Sequence, residues 1–457
     1  MAEHFDAIVI GAGQAGPALA ARLDKEGLKT AFVERKLLGG TCVNTGCVPT
    51  KTLVASAHAA HLARRGAEFG FSAGEIRVDM SAVKRRKDGV VKQSSDGLEK
   101  WITGMKHLTL LRGHARFTAP RTIAVNGQSL TADKVFLNVG GRASVPDIPG
   151  VKDVPFLTNA SMMEVDFLPE HLVIVGGSYI GLEFAQMYRR FGSQVTVVEM
   201  SPKLLAREDD DVAQEIRAIL EHEGVVIRTG AQCMKLQKKG ERITVGLSCD
   251  EGAPMAEGSH VLLAVGRKPN THDLGLKEAG IDADERGYIK VDDELRTSAE
   301  GVWALGDANG KGAFTHTSYN DYEIVAANLF DGDKRRVSDR IPAYALFIDP
   351  PLGRIGMNEA EARKSGKKVL AGKMPMTRVG RAREAGETQG FMKVLVDADS
   401  KELLGASLLG LNADEIVHSL LDVMYAKKPY TTIQRAVHIH PTVTELIPTL
   451  LGNLKPL

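Results

Sequence analysis

The chain has 457 residues, 43% hydrophobic and 25% charged, with a formal net charge of +1. That length accommodates about three domains of roughly 150 residues with real cores, and the near-neutral balance excludes a field strong enough to recruit nucleic acid or a membrane surface. No apolar run approaches the roughly 20 residues that span a bilayer, and four cysteines in so long a chain exclude a disulfide scaffold.

Phe5 to Ile10 reads as a buried parallel strand, followed by the turn Gly11-Ala12-Gly13-Gln14-Ala15-Gly16 and an Ala/Leu-rich helix to about Glu26. In that setting Gly11 allows the tight turn, Gly13 admits a pyrophosphate to the backbone, and Gly16 brings helix close to strand. The phosphates rest on the helix N-terminus, where unpaired N–H groups and the dipole favour an anion. The next strand, Thr30 to Val33, ends at Glu34, 23 residues after Gly11, whose carboxylate can accept hydrogen bonds from both ribose hydroxyls of an adenosine.

Immediately downstream lies Gly39-Gly40-Thr41-Cys42-Val43-Asn44-Thr45-Gly46-Cys47-Val48-Pro49-Thr50-Lys51. Three readings compete for Cys42 and Cys47. A structural crosslink closing so short a loop restricts the unfolded chain little. A zinc site would want tighter cysteine pairs and two further ligands. A redox-active pair beside a nucleotide-binding turn fits the context best. Both cysteines are expected at the start of one helix running through Lys51 toward Ala63, where the helix terminus lowers thiol pKa values. A polar helical pattern follows from about Ser81 to Met105, and its basic run, Lys84-Arg85-Arg86-Lys87, reads as a solvated face.

An apolar strand, Val135 to Val139, leads into Gly140, and Pro146 to Gly150 marks a boundary. The first pattern then recurs: strand His171 to Val175, turn Gly176-Gly177-Ser178-Tyr179-Ile180-Gly181, and strand Gln194 to Val198 ending in Glu199, again 23 residues after the first glycine. Two such turns with the same acidic spacing argue for two nucleotide-binding domains. Ser178 stands where the middle glycine is usual and brings a Cβ near the pyrophosphate. Cys233 and Cys249, in strand-like segments without cationic neighbours, read as packing residues. The second unit closes around Leu262 to Asn270, including Gly266, and the chain returns through Val302 to Leu305 to Gly306-Asp307. From about Ile341, strands such as Met392 to Val396 and Leu403 to Leu409 alternate with helices in an α+β module. Its end carries His438-Ile439-His440-Pro441-Thr442-Val443-Thr444-Glu445; a metal there would want a third donor in reach.

Taken together, these segments resemble the pyridine nucleotide-disulfide oxidoreductases, the family of dihydrolipoamide dehydrogenase, glutathione reductase and mercuric reductase, over essentially the whole chain. The resemblance implies an α/β fold with two Rossmann-like domains and a C-terminal dimerisation module. The expected division is an FAD-binding part at 1–149, an NAD(P)-binding domain at 150–271, a return to the FAD domain at 272–338 and a dimerisation domain at 339–457. It further implies that Gly11, Gly13, Gly16, Glu34, Thr41, Lys51, Gly140 and Asp307 serve FAD, and that Gly176, Tyr179, Gly181, Glu199 and Gly266 serve the nicotinamide coenzyme. Tyr179 would cover the flavin until the nicotinamide displaces it. Glu183, one helical turn after Tyr179, would pair with Lys51.

By the same likeness Cys47 faces the flavin, Cys42 is the interchange thiol, and the other subunit's His440 is its acid-base partner, oriented by Glu445. A homodimer is then required for a complete site. Glu199 favours NADH, because a 2′-phosphate beside a carboxylate is repelled; Lys203 and Arg207 leave NADPH open. No resident metal is expected. The anticipated activity is transfer of reducing equivalents from NAD(P)H through FAD and the Cys42/Cys47 disulfide to a small disulfide substrate, in the cytoplasm. The alternatives are dihydrolipoamide dehydrogenation, metal-ion reduction, and a redox sensor without turnover. The segments Phe314 to Tyr322 and Asp349 to Arg354 resemble mercuric-reductase-related flavoproteins, but the tail from Leu451 to Leu457 carries no cysteine pair for handing over metal.

Overall fold

Residues 2–231, 234–248 and 254–457 are described by a computed structural model. Cys233 and Cys249 lie outside the described residues, so their expected packing role has no structural counterpart here. The first sheet has seven strands. At its centre Glu3–Ile10 pairs in parallel with Thr30–Glu34 on one side and with Gln128–Leu137 on the other. Phe5, Ile8 and Ile10 enter one core, with Ala7 and Val9 in another on the opposite face. A strand covered on both faces has to be apolar at nearly every position, as this one is from Ala7 to Ile10. The third strand begins earlier and stops sooner than its apolar core suggests, because Gln128 to Ala132 forms a hairpin with Thr122–Val125 through the Asn126-Gly127 turn. Both turn residues have positive φ, 50° and 81°, as a two-residue hairpin turn of the right twist needs. Val302–Ala304 then adds beside the Leu137 end of the same strand.

Helix α1 (Ala15–Lys25) follows the first strand. After Glu34 come two helices where one was expected. Cys42 lies in a single-turn helix α2 (Gly40–Asn44), and Cys47 is the first residue of α3 (Cys47–Arg64). The break falls at Thr45 and Gly46, where φ swings to −142° and −134°. Only Cys47 therefore sits at the N-terminus of a long helix. Helix α4 (Met80–Thr103) starts at Asp79, whose side chain accepts from Ala82 N at 3.0 Å. The basic run on α4 is not uniformly solvated: Lys87 is only 3% exposed and donates to Met163 O at 2.6 Å. The ammonium is also paired with the Asp88 carboxylate, and the two contacts together offset its burial.

Gly141–Ala143 and Arg267–Pro269 run antiparallel as a two-stranded crossover between the nucleotide-binding units. The second unit has four parallel strands in the order Val226–Arg228, Gln194–Val198, His171–Val175, His260–Leu263. Helix α5 (Tyr179–Phe191) follows its glycine turn and α6 (Asp210–His222) precedes the edge strand. Helix α7 (Thr315–Ala326) follows the Gly306-Asp307 turn. The C-terminal module is a six-stranded antiparallel sheet in which Phe391–Asp397 and Leu403–Leu409 are buried at every position. No described helix is long and apolar enough to cross a membrane.

Candidate active site

The two glycine turns are built alike. Gly11 and Gly176 have φ of 103° and 116°, and a Cβ on either would fall 2.3 Å or 2.5 Å from a backbone oxygen, of Asn138 and Ala264 respectively. A Cβ on Gly16 would lie 2.2 Å from Gly11 O, and one on Gly181 2.0 Å from Gly176 O. In each turn the acidic residue closes the loop: Ala12 N donates to Glu34 Oε2 at 2.8 Å, and Gly177 N to Glu199 Oε2 at 2.6 Å. The other oxygens accept from Lys36 N and Ser201 N. Both carboxylates are thus fixed at the strand ends, where a ribose would sit.

The first turn fits a dinucleotide pyrophosphate. Helix α1 has neither a side-chain cap nor an acidic residue in its first turn, which leaves amides directed at the cradle. A Cβ on Gly13 would meet Asn138 Nδ2 at 3.2 Å, and one on Gly40 would come within 2.9 Å of Gly13 Cα. The floor is Asn138, buried, donating to Gly11 O. Sequence reasoning missed it, since an isolated Asn after an apolar strand carries no signal of its own. At Ser178 φ is −111°, the backbone extended and the side chain exposed, so the backbone conformation there does not itself require glycine.

Asp307 and Thr41 converge on a residue that had been noticed only as part of a loop. Arg267 Nε donates to Asp307 Oδ2 at 3.1 Å, and its terminal nitrogen reaches Gly141 O at 2.7 Å and Thr41 Oγ1 at 3.3 Å. The Gly306 turn is held by the buried Asp321, which accepts from Gly306 N and Asn309 Nδ2. Gly140 and Gly266, both at positive φ with open space around the missing Cβ, serve the crossover: Gly140 O accepts from Asn270 N and Gly266 O from Ser144 N. An open cleft of about 740 Å³ lies against Asp307, Arg267 and Gly141, with Arg207, Lys268 and Arg286 at its wall.

Both cysteines are free thiols, Cys42 half-buried and Cys47 exposed. They differ sharply. The hydrogen bond from Cys42, opposed by partial burial and assisted by Thr315 and Lys51, brings the Cys47 thiol down to about 6. The same bond and burial push Cys42 well up. Helix position agrees with this polarity, because only Cys47 heads a long helix. Thr315, at the start of α7, has its Oγ1 3.1 Å from Cys47 Sγ and was also missed, being remote in sequence. Lys51 Nζ donates to both oxygens of Glu183, at 2.9 and 2.7 Å, the pair that the family resemblance suggested. Glu183 also accepts from Phe347 N. Tyr179 donates to Glu208 Oε1 at 2.7 Å.

At the C-terminal end, His440 Nδ1 lies 2.9 and 3.1 Å from the carboxylate oxygens of Glu445. The His440 side chain is 80% exposed, and Val437 and Ile439 beside it are 100% and 81% exposed. Among the described residues the imidazole has no hydrogen bond to either cysteine of its own chain. The acidic group Asp209, Asp211 and Glu359 has metal-like spacing, but Lys393 Nζ fills it, at 2.9, 2.7 and 2.6 Å.

A family model described as pyridine nucleotide-disulphide oxidoreductase matches residues 5–321, and the dimerisation domain of the same family matches 342–451. The chain belongs to this family. It is an FAD-dependent NAD(P)H disulfide oxidoreductase with a dimerisation domain. Among its relatives, the probable pyridine nucleotide-disulfide oxidoreductase RclA of Escherichia coli is 35% identical over 99% of both chains. A dihydrolipoyl dehydrogenase of Thermus scotoductus is 35% identical over 96% of this chain and 95% of its own. A mercuric reductase of Staphylococcus aureus is 31% identical over 91% of this chain and 76% of its own. The solved structure of the HOCl-induced flavoprotein disulfide reductase RclA from Escherichia coli superposes with a TM-score of 0.89 at 34% identity, covering 98% of this chain and 99% of that one. The same protein has also been solved as a Cu(II) complex.

Proposed function

We propose that the protein is a cytoplasmic homodimer that uses NADH to reduce a small-molecule disulfide, with Cys42 as the interchange thiol and Cys47 as the thiol facing the flavin. The observation that carries this reading is the asymmetric setting of the dithiol: Cys47 alone heads a long helix, with Thr315 Oγ1 3.1 Å from its sulfur, whereas Cys42 lies in a single-turn helix. FAD, when bound, supplies the two-electron relay between coenzyme and sulfur. The protein's own groups do the rest. Cys47 holds negative charge, supported by Thr315 and by Lys51. Cys42, raised by its neighbour, needs a base before it can attack a substrate sulfur. Glu445 holds Nδ1 of His440, which leaves Nε2 to take that proton and return it to the leaving thiol. Because His440 has no hydrogen bond to the cysteines of its own chain, the partner subunit's His440 is assigned this role, and exposed Val437 and Ile439 suit burial against that subunit.

NADH is favoured over NADPH by two features. Glu199 is pinned by two backbone amides where a 2′-phosphate would sit, and Lys203 is engaged with Glu208 O and Asp210. Metal-ion reduction is the second reading, favoured by the Cu(II) complex of the relative and by the preference of soft metals for thiolates.

Anaerobic half-reactions test the assignment. In Cys42→Ser, reoxidation by disulfides falls on the order of a thousandfold while flavin reduction by NADH persists; retained disulfide turnover would sink the assignment. His440→Ala slows thiol exchange and spares flavin reduction, and equal slowing of both would remove its role. In the two-electron-reduced enzyme the thiolate-to-flavin absorbance is full well above pH 6 and half lost as pH falls to about 6, the pKa of Cys47; a midpoint near an ordinary thiol value would contradict it. Reoxidation by Cu(II) but by no disulfide would favour the second reading.

A further inference from the structure

Glu208 is the most buried unexplained acid near the site. Its side chain is fully enclosed, and its Oε1 accepts two phenols at once, Tyr179 and Tyr344, each at 2.7 Å. Tyr344 comes from the C-terminal module and stacks on Phe314, ring centroids 5.5 Å apart at 12°. Oε2 has no hydrogen-bond partner among the described residues, and neither has Arg354 Nε, 3.5 Å away and equally buried. Arg354 is fixed by its NH1 to the carbonyls of Ile355 and Ala406. The segment that carries Glu208 begins at Glu199 and packs back on the coenzyme turn through Leu205 N to Gly177 O, 3.0 Å.

We propose that Glu208 is a latch on Tyr179, a positioning residue that holds the ring closed, and that Tyr344 and Arg354 keep this carboxylate satisfied when the phenol leaves. This rests on the reading of Tyr179 as the ring displaced by nicotinamide. Opening breaks the Tyr179 to Glu208 hydrogen bond, and a buried carboxylate left alone would make that step costly. The second phenol remains on Oε1, and the Arg354 guanidinium, 3.5 Å from Oε2, remains as its ion-pair partner. The cost of opening is thereby set by Tyr344, a residue too far along the chain and on the wrong module to be counted with the coenzyme site. The two phenols should consequently act in opposite directions. Loss of the Tyr179 hydroxyl frees the ring and tightens coenzyme binding. Loss of the Tyr344 hydroxyl leaves the carboxylate dependent on Tyr179 and weakens it.

The test is anaerobic rapid mixing of the FAD-loaded dimer with NADH, reading its Kd and the limiting rate of flavin reduction separately. Y179F should lower the Kd about three- to tenfold and Y344F should raise it by a similar factor, the limiting rate of Y344F staying within about twofold of wild type. In the Y179F background Y344F should have no effect. The latch is overturned if Y179F fails to tighten binding, if Y344F fails to weaken it, or if Y344F weakens it equally in the double variant. Y179A separates the underlying reading: an unchanged Kd there removes Tyr179 from the coenzyme's path, whereas a lowered Kd with Y179F at the wild-type value removes only the latch.

Discussion

The turn at Gly11 to Gly16 and the turn at Gly176 to Gly181 share strand, helix, acidic residue and close glycine contacts, yet one is roofed and the other open. Over Gly13 lies Gly40, from the helix that carries Cys42, so close that a Cβ there would touch Gly13 Cα. Ser178 is exposed, and the segment after Glu199 packs on the neighbouring Gly177 instead. The same backbone solution to phosphate binding therefore serves two purposes. A roofed turn suits a cofactor that stays, and an open one suits a coenzyme that must leave after each cycle. Tolerance of a side chain at the middle position is a consequence of the missing roof.

This contrast can be broken in graded steps. Gly16→Ala and Gly181→Ala strike what the turns share, a helix pressed onto the first glycine's carbonyl; each should cost about 3 kcal/mol of stability, read by denaturant unfolding, and a cost at one turn only would break the equivalence. Gly13→Ser places at the first turn the residue type found at the second. Crowded by Asn138, whose Nδ2 would lie 3.2 Å from the new Cβ, it should weaken FAD retention on the order of a hundredfold, measured by cofactor release; a fully flavinylated variant would show that this crowding does not matter. Glu199→Ala should erode the preference for NADH over NADPH by about tenfold, and an unchanged ratio of kcat/KM values would take the carboxylate out of coenzyme selection. Ser178→Gly, at an extended and exposed position, should change the NADH Kd by less than about threefold. A larger change would place the hydroxyl in contact with the coenzyme.

The dithiol shows where reading along the chain reaches its limit. Two cysteines beside a nucleotide turn point to redox chemistry because that chemistry needs them adjacent. The helix break at Thr45 and Gly46 that divides their environments is a local backbone event which composition does not announce. Lys87 makes the same point: a basic run on a polar helix looks solvated, and only the neighbouring turn at Met163 supplies the carbonyl that lets one of its four members be buried. Lys51 and Glu183, on different helices, were legible as a pair only through the family resemblance. Thr315, Asn138 and Arg267 were not, since each acts through contacts with residues far away in the chain.

What the sequence alone determined was the set of local devices: the glycines that permit tight turns, the acids at the strand ends, the cysteine spacing, and the His440/Glu445 loop whose members are close enough to meet without help. These are short-range, so residue type and spacing suffice. Only the tertiary structure decided that Gly40 presses on the first turn, which cysteine heads a long helix, and that Glu208, Tyr344 and Arg354 meet behind Tyr179. Those outcomes depend on burial and on partners brought together by chain crossover, and burial sets the cost of a charge or an unpaired polar atom.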